Sequence, residues 1–121
     1  MAGRATDPFA AYGRAQGSAL GLRQADSMAL ARAANLLDDG LRQGSRVQLE
    51  DALKRNQRLW GQIERIVGPD GHPLPIKVRA DLLSLARFVR RQTLKALISG
   101  AVADVRPLID INREIAAGLA E

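Results

Sequence analysis

Apolar residues return at three- and four-residue intervals through most of this chain, which is the period of helices that bury one face. Leu22, Ala25, Ala29, Ala33 and Leu36 mark a first helix from Ser18 to about Leu37, and its small alanines admit a neighbouring helix closely. Asp38-Asp39-Gly40 reads as its stop, with Gly40 or Gly44 at the end. Ser45 and Gln48 form an S-x-x-Q capping box, so a second helix starts at Arg46 and runs through Trp60 to Val67. Gly68-Pro69-Asp70-Gly71 ends it, and His72-Pro73-Leu74-Pro75 prolongs the break. Pro75 then suits the first turn of a third helix that reaches Ser99 and stops at Gly100. Asp104 is expected to cap a fourth helix, with Pro107 tolerated in its first turn and Leu108, Ile111, Ile115 and Leu119 on its apolar side. No strand-like alternation competes. The pattern predicts an all-α, compact bundle-like domain of about four helices over residues 18–121. Residues 1–17, with Pro8 and three glycines but no sustained period, read as a flexible N-terminal arm.

Two positions break the apolar pattern. At about 100° per residue, Asn56 falls inside the arc of Leu49, Ala52, Leu53, Leu59, Trp60 and Ile63. Asn112 falls likewise among Leu108, Ile109, Ile111 and Ile115. An amide that loses water without gaining partners costs about 1–3 kcal/mol, so each should either close a hydrogen-bond network or meet a ligand. Buried amides usually find partners within the protein and often fix helix register, which favours the network. Trp60, the only tryptophan, is similarly divided between core packing and an interface anchor.

Composition narrows the chemistry. A chain of 121 residues with 46% apolar side chains supports one core. It has no cysteine, which excludes disulfides and thiol chemistry and fits a reducing cytosol. Met1 to Gly17 carries no hydrophobic export signal, and nowhere do 18 uncharged apolar residues run together, so the expectation is a cytoplasmic protein without membrane insertion. His72 is the sole histidine, and no phosphate-binding glycine loop, dinucleotide fingerprint or nucleophile elbow is present. The expected protein is not an enzyme and needs no cofactor or metal.

The formal charge of +5 is concentrated between Pro75 and Ser99, where Lys77, Arg79, Arg87, Arg90, Arg91 and Lys95 face Asp81 alone. Arg87, Arg91 and Lys95, spaced i, i+4 and i+8, make a basic stripe suited to an acidic partner or simply to water. Arg79 instead projects near Leu83 and Ala86, where a guanidinium needs a carboxylate or carbonyls. Asp110, Glu64 and the carbonyl end of the second helix are the candidate partners of such a clamp, against recognition of an external acidic group. RNA binding by the basic helix stays open as an alternative, although Phe88 is the one aromatic beside the arginines.

Taken in order, Asn56-Gln57-Arg58-Leu59-Trp60, Leu74-Pro75, Arg79-Ala80-Asp81-Leu82-Leu83, Ile109-Asp110-Ile111-Asn112 and Gly118-Leu119 resemble the FlaF family, the small flagellar biosynthesis regulators of alphaproteobacteria. The resemblance covers roughly residues 18–119, and the ordered set is far more specific than any one element. It implies a cytoplasmic, all-helical, non-enzymatic protein that binds flagellin as a secretion chaperone and is needed for flagellin synthesis and export. It also implies a link to post-transcriptional control of flagellin, in opposition to the regulator FlbT. The matched positions are Asn56, Leu59, Trp60, Leu74, Pro75, Arg79, Asn112 and Leu119.

A chaperone of this kind would cover an amphipathic helical end of unpolymerised flagellin in an apolar cleft with a polar rim. The sequence suggests that helices two and four flank that cleft, with Trp60 and the surroundings of Asn56 near its floor and Arg87, Arg91 and Lys95 along its edge. Asn56, Leu59, Trp60, Arg79, Arg87, Arg91, Lys95 and Asn112 are therefore the candidate partner-binding residues.

Overall fold

The computed structural model describes residues 24–68 and 76–120. Within them are four helices and no strand: α1 (Gln24–Gln43), α2 (Arg46–Val67), α3 (Ile76–Ser99) and α4 (Val102–Ala120). The expected arm 1–17, the helix start at Ser18 and the break at His72-Pro73-Leu74-Pro75 lie outside the described residues.

The apolar stripes meet in one core. Leu30, Leu37, Leu53, Val67, Val89, Val105, Leu108 and Ile109 are essentially removed from solvent. Each helix thus contributes an inward face, and burial at about 25 cal/mol per Å² of apolar surface is the main force joining them. The principal packing is α1 on α2, α2 on α3, α3 on α4 and α4 back on α1. Such a ring puts α2 and α4 on one diagonal and α1 and α3 on the other. Side chains lying between α2 and α4 are therefore core, which corrects the expectation that these two helices flank an open cleft.

The turn between α1 and α2 decides between the two glycines expected to end the first helix, in favour of Gly44. Gly40 stays helical and buried, and the helix ends at Gly44, whose φ of 62° is the left-handed value that glycine adopts without a Cβ penalty. Gly44 N–H donates to the Leu41 carbonyl at 3.2 Å and Ser45 N–H to the Gly40 carbonyl at 3.3 Å, the paired bonds of a Schellman cap. Ser45 Oγ then accepts from Gln48 N–H at 3.2 Å and opens α2. Only this arm of the capping box forms at Ser45, because its own N–H is already bonded to Gly40.

The α3–α4 turn lies at the same end of the bundle. Gly100, with φ 63°, closes α3 by donating to the Ala96 carbonyl at 2.7 Å. Arg46, from the first turn of α2, donates through Nη2 to the Leu97 and Ile98 carbonyls at 2.7 and 3.2 Å. A cation is thus seated on the negative end of α3, and a Cβ on Gly100 would collide with that guanidinium. Helix α4 begins at Val102, two residues before the expected cap, since Val105 N–H already reaches the Ala101 carbonyl at 3.1 Å. Asp104 sits inside the first turn instead, and its carboxylate accepts from Ser99 Oγ at 2.5 Å and lies 3.6 Å from Lys95 Nζ. Pro107 is then the sixth helical residue, and the bond it cannot donate is that to Ala103, which is exposed to water.

Asp38 ties α1 to α4. Arg42 donates to it at 2.7 Å, and guanidinium nitrogens of Arg113 and Arg106 lie 3.6 and 3.8 Å from its oxygens. Desolvation alone would push the Asp38 pKa up, but the Arg42 hydrogen bond and the charges of Arg42, Arg113 and Arg106 outweigh it, so the net displacement is below the ordinary 3.8. A carboxyl held lower in the folded state stabilises the fold at pH values above its unfolded pKa and loses that contribution as pH falls through the folded one. Asp38→Asn should therefore lower the melting temperature at pH 7 and leave it nearly unchanged near pH 2. Equal losses at both pH values would show that the charge is not what matters.

Candidate partner-binding groove

Three of the candidate residues form one buried network. Trp60 is in α2 and Asn112 in α4, and the indole Nε1–H donates to Asn112 Oδ1 at 2.8 Å. An indole can only donate, so the Asn112 carbonyl must face it and the Asn112 amino group must turn the other way. That group donates to Asn56 Oδ1 at 2.6 Å and to the Leu30 carbonyl at 3.3 Å. Asn56 in turn must present its oxygen, which leaves its own Nδ2 buried without a hydrogen-bond partner among the described residues. Asn56 and Asn112 are wholly buried and Trp60 is 3% exposed. The network joins α1, α2 and α4 across the middle of the bundle, and no face of it is open to a partner in the folded domain.

The remaining candidates separate. Leu59, one residue before Trp60, is half-buried at the surface of α2, and Arg79 is half-buried on α3. Glu64, one of the carboxylates considered for Arg79, is paired with Arg90. Arg87, Arg91 and Lys95 are all exposed on α3, so the stripe exists. Lys95 is shared with Asp104, and Lys77 is paired with Asp81 at 3.1 Å. Arg87 and Arg91 are left as its two members without a carboxylate among the described residues.

An open groove of about 320 Å³ lies between α1 and α2. Its α1 wall is Ala29, Arg32, Ala33 and Leu36, and its α2 wall is Arg55, Arg58, Leu59 and Gln62. Both walls are i, i+3, i+4, i+7 sets, so the groove follows the two helices for about two turns, roughly 10 Å. The alanines lower its floor and Leu36 and Leu59 complete it. Arg32, Arg55 and Arg58 are exposed around that floor, and none makes an ion pair among the described residues. Leu59 is the one candidate residue that lines it. The three arginines went unremarked in the sequence because the charge excess lay in α3; the signal was a run of unneutralised cations at helical spacing beside small apolar residues.

A model of the family described as flagellar protein FlaF matches residues 8–119. The chain belongs to the FlaF family. That match spans all four helices, the asparagine network and both walls of the groove, so the ordered motifs of this FlaF protein and its helical fold agree. No curated protein and no solved structure matches the chain. Among the described residues, no helix is long and apolar enough to cross a membrane.

Proposed function

We propose that this FlaF protein binds flagellin in the cytoplasm and acts as its secretion chaperone, so that flagellin is synthesised and exported during flagellum assembly. Membership of a flagellar family supports the setting, and the α1–α2 groove is the observation that carries the mode of action. Unpolymerised flagellin presents amphipathic helical ends that would aggregate or assemble early, and a groove with an apolar floor and a polar rim is suited to covering one. The protein acts by binding rather than by catalysis, in opposition to FlbT. Calorimetry with purified flagellin, alongside flagellin solubility on coexpression, tests this. We expect a saturable complex and more soluble flagellin; a folded protein that neither binds flagellin nor changes its solubility would end the chaperone reading.

Arg87 and Arg91, exposed and without a carboxylate among the described residues, support a second reading, direct binding of flagellin messenger RNA. With Lys77 and Lys95 next to carboxylates, the guanidinium groups of Arg87 and Arg91 offer few phosphate contacts. Affinity for RNA would then be weak and strongly salt-dependent. An Arg87→Ala/Arg91→Ala/Lys95→Ala variant should abolish any RNA gel shift seen at low salt, and no shift with the parent protein eliminates the reading.

A further inference from the structure

We infer that the α1–α2 groove receives an acidic amphipathic helix of two to three turns, with apolar side chains on Ala29, Ala33, Leu36 and Leu59 and carboxylates against Arg32, Arg55 and Arg58. The inference rests on the flagellin-binding reading for the identity of the protein that carries this helix, but not for the chemistry of the site. Three observations combine. The walls are matched two-turn stripes with a floor lowered by alanines, a shape that accepts side chains projecting from a third helix laid along the first two. The volume of about 320 Å³ is open along its length, which suits several short apolar side chains better than an engulfed small molecule.

Charge then selects the occupant. Elsewhere on this domain, several exposed arginines are neutralised locally: Arg42, Arg106 and Arg113 by Asp38, Arg46 by Glu50 and Arg90 by Glu64, while Arg65, Arg87 and Arg91 have no carboxylate among the described residues. Around the groove none of the three exposed arginines has a carboxylate among the described residues, and here they border an apolar floor. Arg32 on one wall and Arg55 and Arg58 on the other flank an apolar floor with no acidic residue among its lining. A basic helix would bring like charges together along both rims. An acidic helix would gain up to three cross-groove pairs, each modest because it is exposed, and together sufficient for orientation and selectivity. RNA fits less well, since the groove offers it alkyl floor and no aromatic side chain on which a base could stack.

Fluorescence anisotropy with two synthetic helical peptides tests the inference. Both carry the same leucine and alanine face, one with glutamates beside it and the other with lysines at the same positions. We expect the glutamate peptide to bind the full chain at least about tenfold more tightly than the lysine peptide, a preference shrinking as salt shortens the screening length from about 10 Å at 0.1 M to about 3 Å at 1 M. Arg55→Glu/Arg58→Glu, at exposed positions, should keep the helical circular dichroism and melting temperature while reversing the preference. Ala29→Phe, which fills the floor, should weaken both peptides about equally. Equal affinity for the two peptides, a preference unmoved by the charge reversal, or a single-stranded oligonucleotide that binds more tightly than the glutamate peptide and displaces it from the groove would overturn the inference. Flagellin is measured separately against the same variants. If flagellin binds the Arg55→Glu/Arg58→Glu and Ala29→Phe proteins as tightly as the parent, the groove is not its site although the chaperone reading survives. If the glutamate peptide behaves as expected and flagellin does not bind at all, the groove stands and the flagellin reading falls.

Discussion

Asn112→Leu should destabilise the domain by roughly 3–5 kcal/mol, although leucine has the same branching as asparagine and is more apolar. The loss comes from what Asn112 leaves behind. Trp60 Nε1–H and Asn56 Oδ1 would both be buried without partners, and the Leu30 carbonyl would lose its side-chain donor. Each orphaned buried group costs about 1–3 kcal/mol, whereas the extra apolar surface of the larger leucine, offset by crowding in a filled site, returns less than the sum of two. Against a typical total stability of about 5–15 kcal/mol this is a large fraction, and the melting temperature should fall by more than about 10 °C. Asn56→Leu should cost less, because it removes one bond and also the unpartnered Nδ2. The double variant should be more stable than the sum of the two single losses implies, since neither amide then faces an abandoned partner. Thermal and urea unfolding of the four proteins closes the cycle. An Asn112→Leu protein with parental stability that has lost flagellin binding alone would reassign the network to partner contact.

That network also shows where reading the sequence reached the fold and where it stopped. Helical period located the core stripe of α2, and the energetic penalty for a buried amide singled out Asn56 and Asn112 before any partner was known. On α1 it was off by one position: of the expected stripe, Ala29 and Leu36 are only half-buried and line the groove, and the core is made by Leu30, Ala34 and Leu37. Periodicity says which face of a helix turns inward, but it is silent on which helices are neighbours. The cleft was therefore expected between α2 and α4, the pair that the ring of contacts puts on a diagonal. The same limit explains Arg90, counted in the sequence only as part of the basic excess and found paired with Glu64 of α2. It explains the groove as well: Arg55 and Arg58 become the rim of a site only when Arg32, more than twenty residues earlier, is brought opposite them. Helix ends were legible where a local rule suffices, as at Ser45. They were displaced where tertiary contact decides, as at Asp104, whose carboxylate reaches back to Ser99 and Lys95.

Gly40 carries the other large expected effect, and its sign is the informative part. In an exposed helix, replacing glycine with alanine stabilises by about 1 kcal/mol, because alanine has less backbone freedom to lose. Gly40 lies where α1 crosses α2 just before their shared turn, and a Cβ there would stand 3.0 Å from Leu49 Cα and 3.2 Å from Leu49 N. Those are backbone atoms, so no rotamer change relieves the contact, and α1 and α2 must separate instead. Overpacking of this kind costs about 1–3 kcal/mol. Gly40→Ala should therefore be neutral to destabilising, and Gly40→Val, with a branched side chain and less helical gain, should cost about 2–3 kcal/mol. Gly61 supplies the control within the same bundle: it is also helical, and an added Cβ would meet only the Arg65 guanidinium, at 3.7 Å. Gly61→Ala should stabilise by about 0.5–1 kcal/mol. Chemical denaturation of the three variants separates the two effects, since helix propensity predicts the same sign at both glycines and close helix approach predicts opposite signs. Separating α1 from α2 at Leu49 would also shift Arg46, three residues earlier on α2, away from the Leu97 and Ile98 carbonyls. Gly40→Val should consequently raise hydrogen exchange at the α3–α4 turn, far along the chain from the substitution, and unchanged protection there would mean that the strain is absorbed within α1.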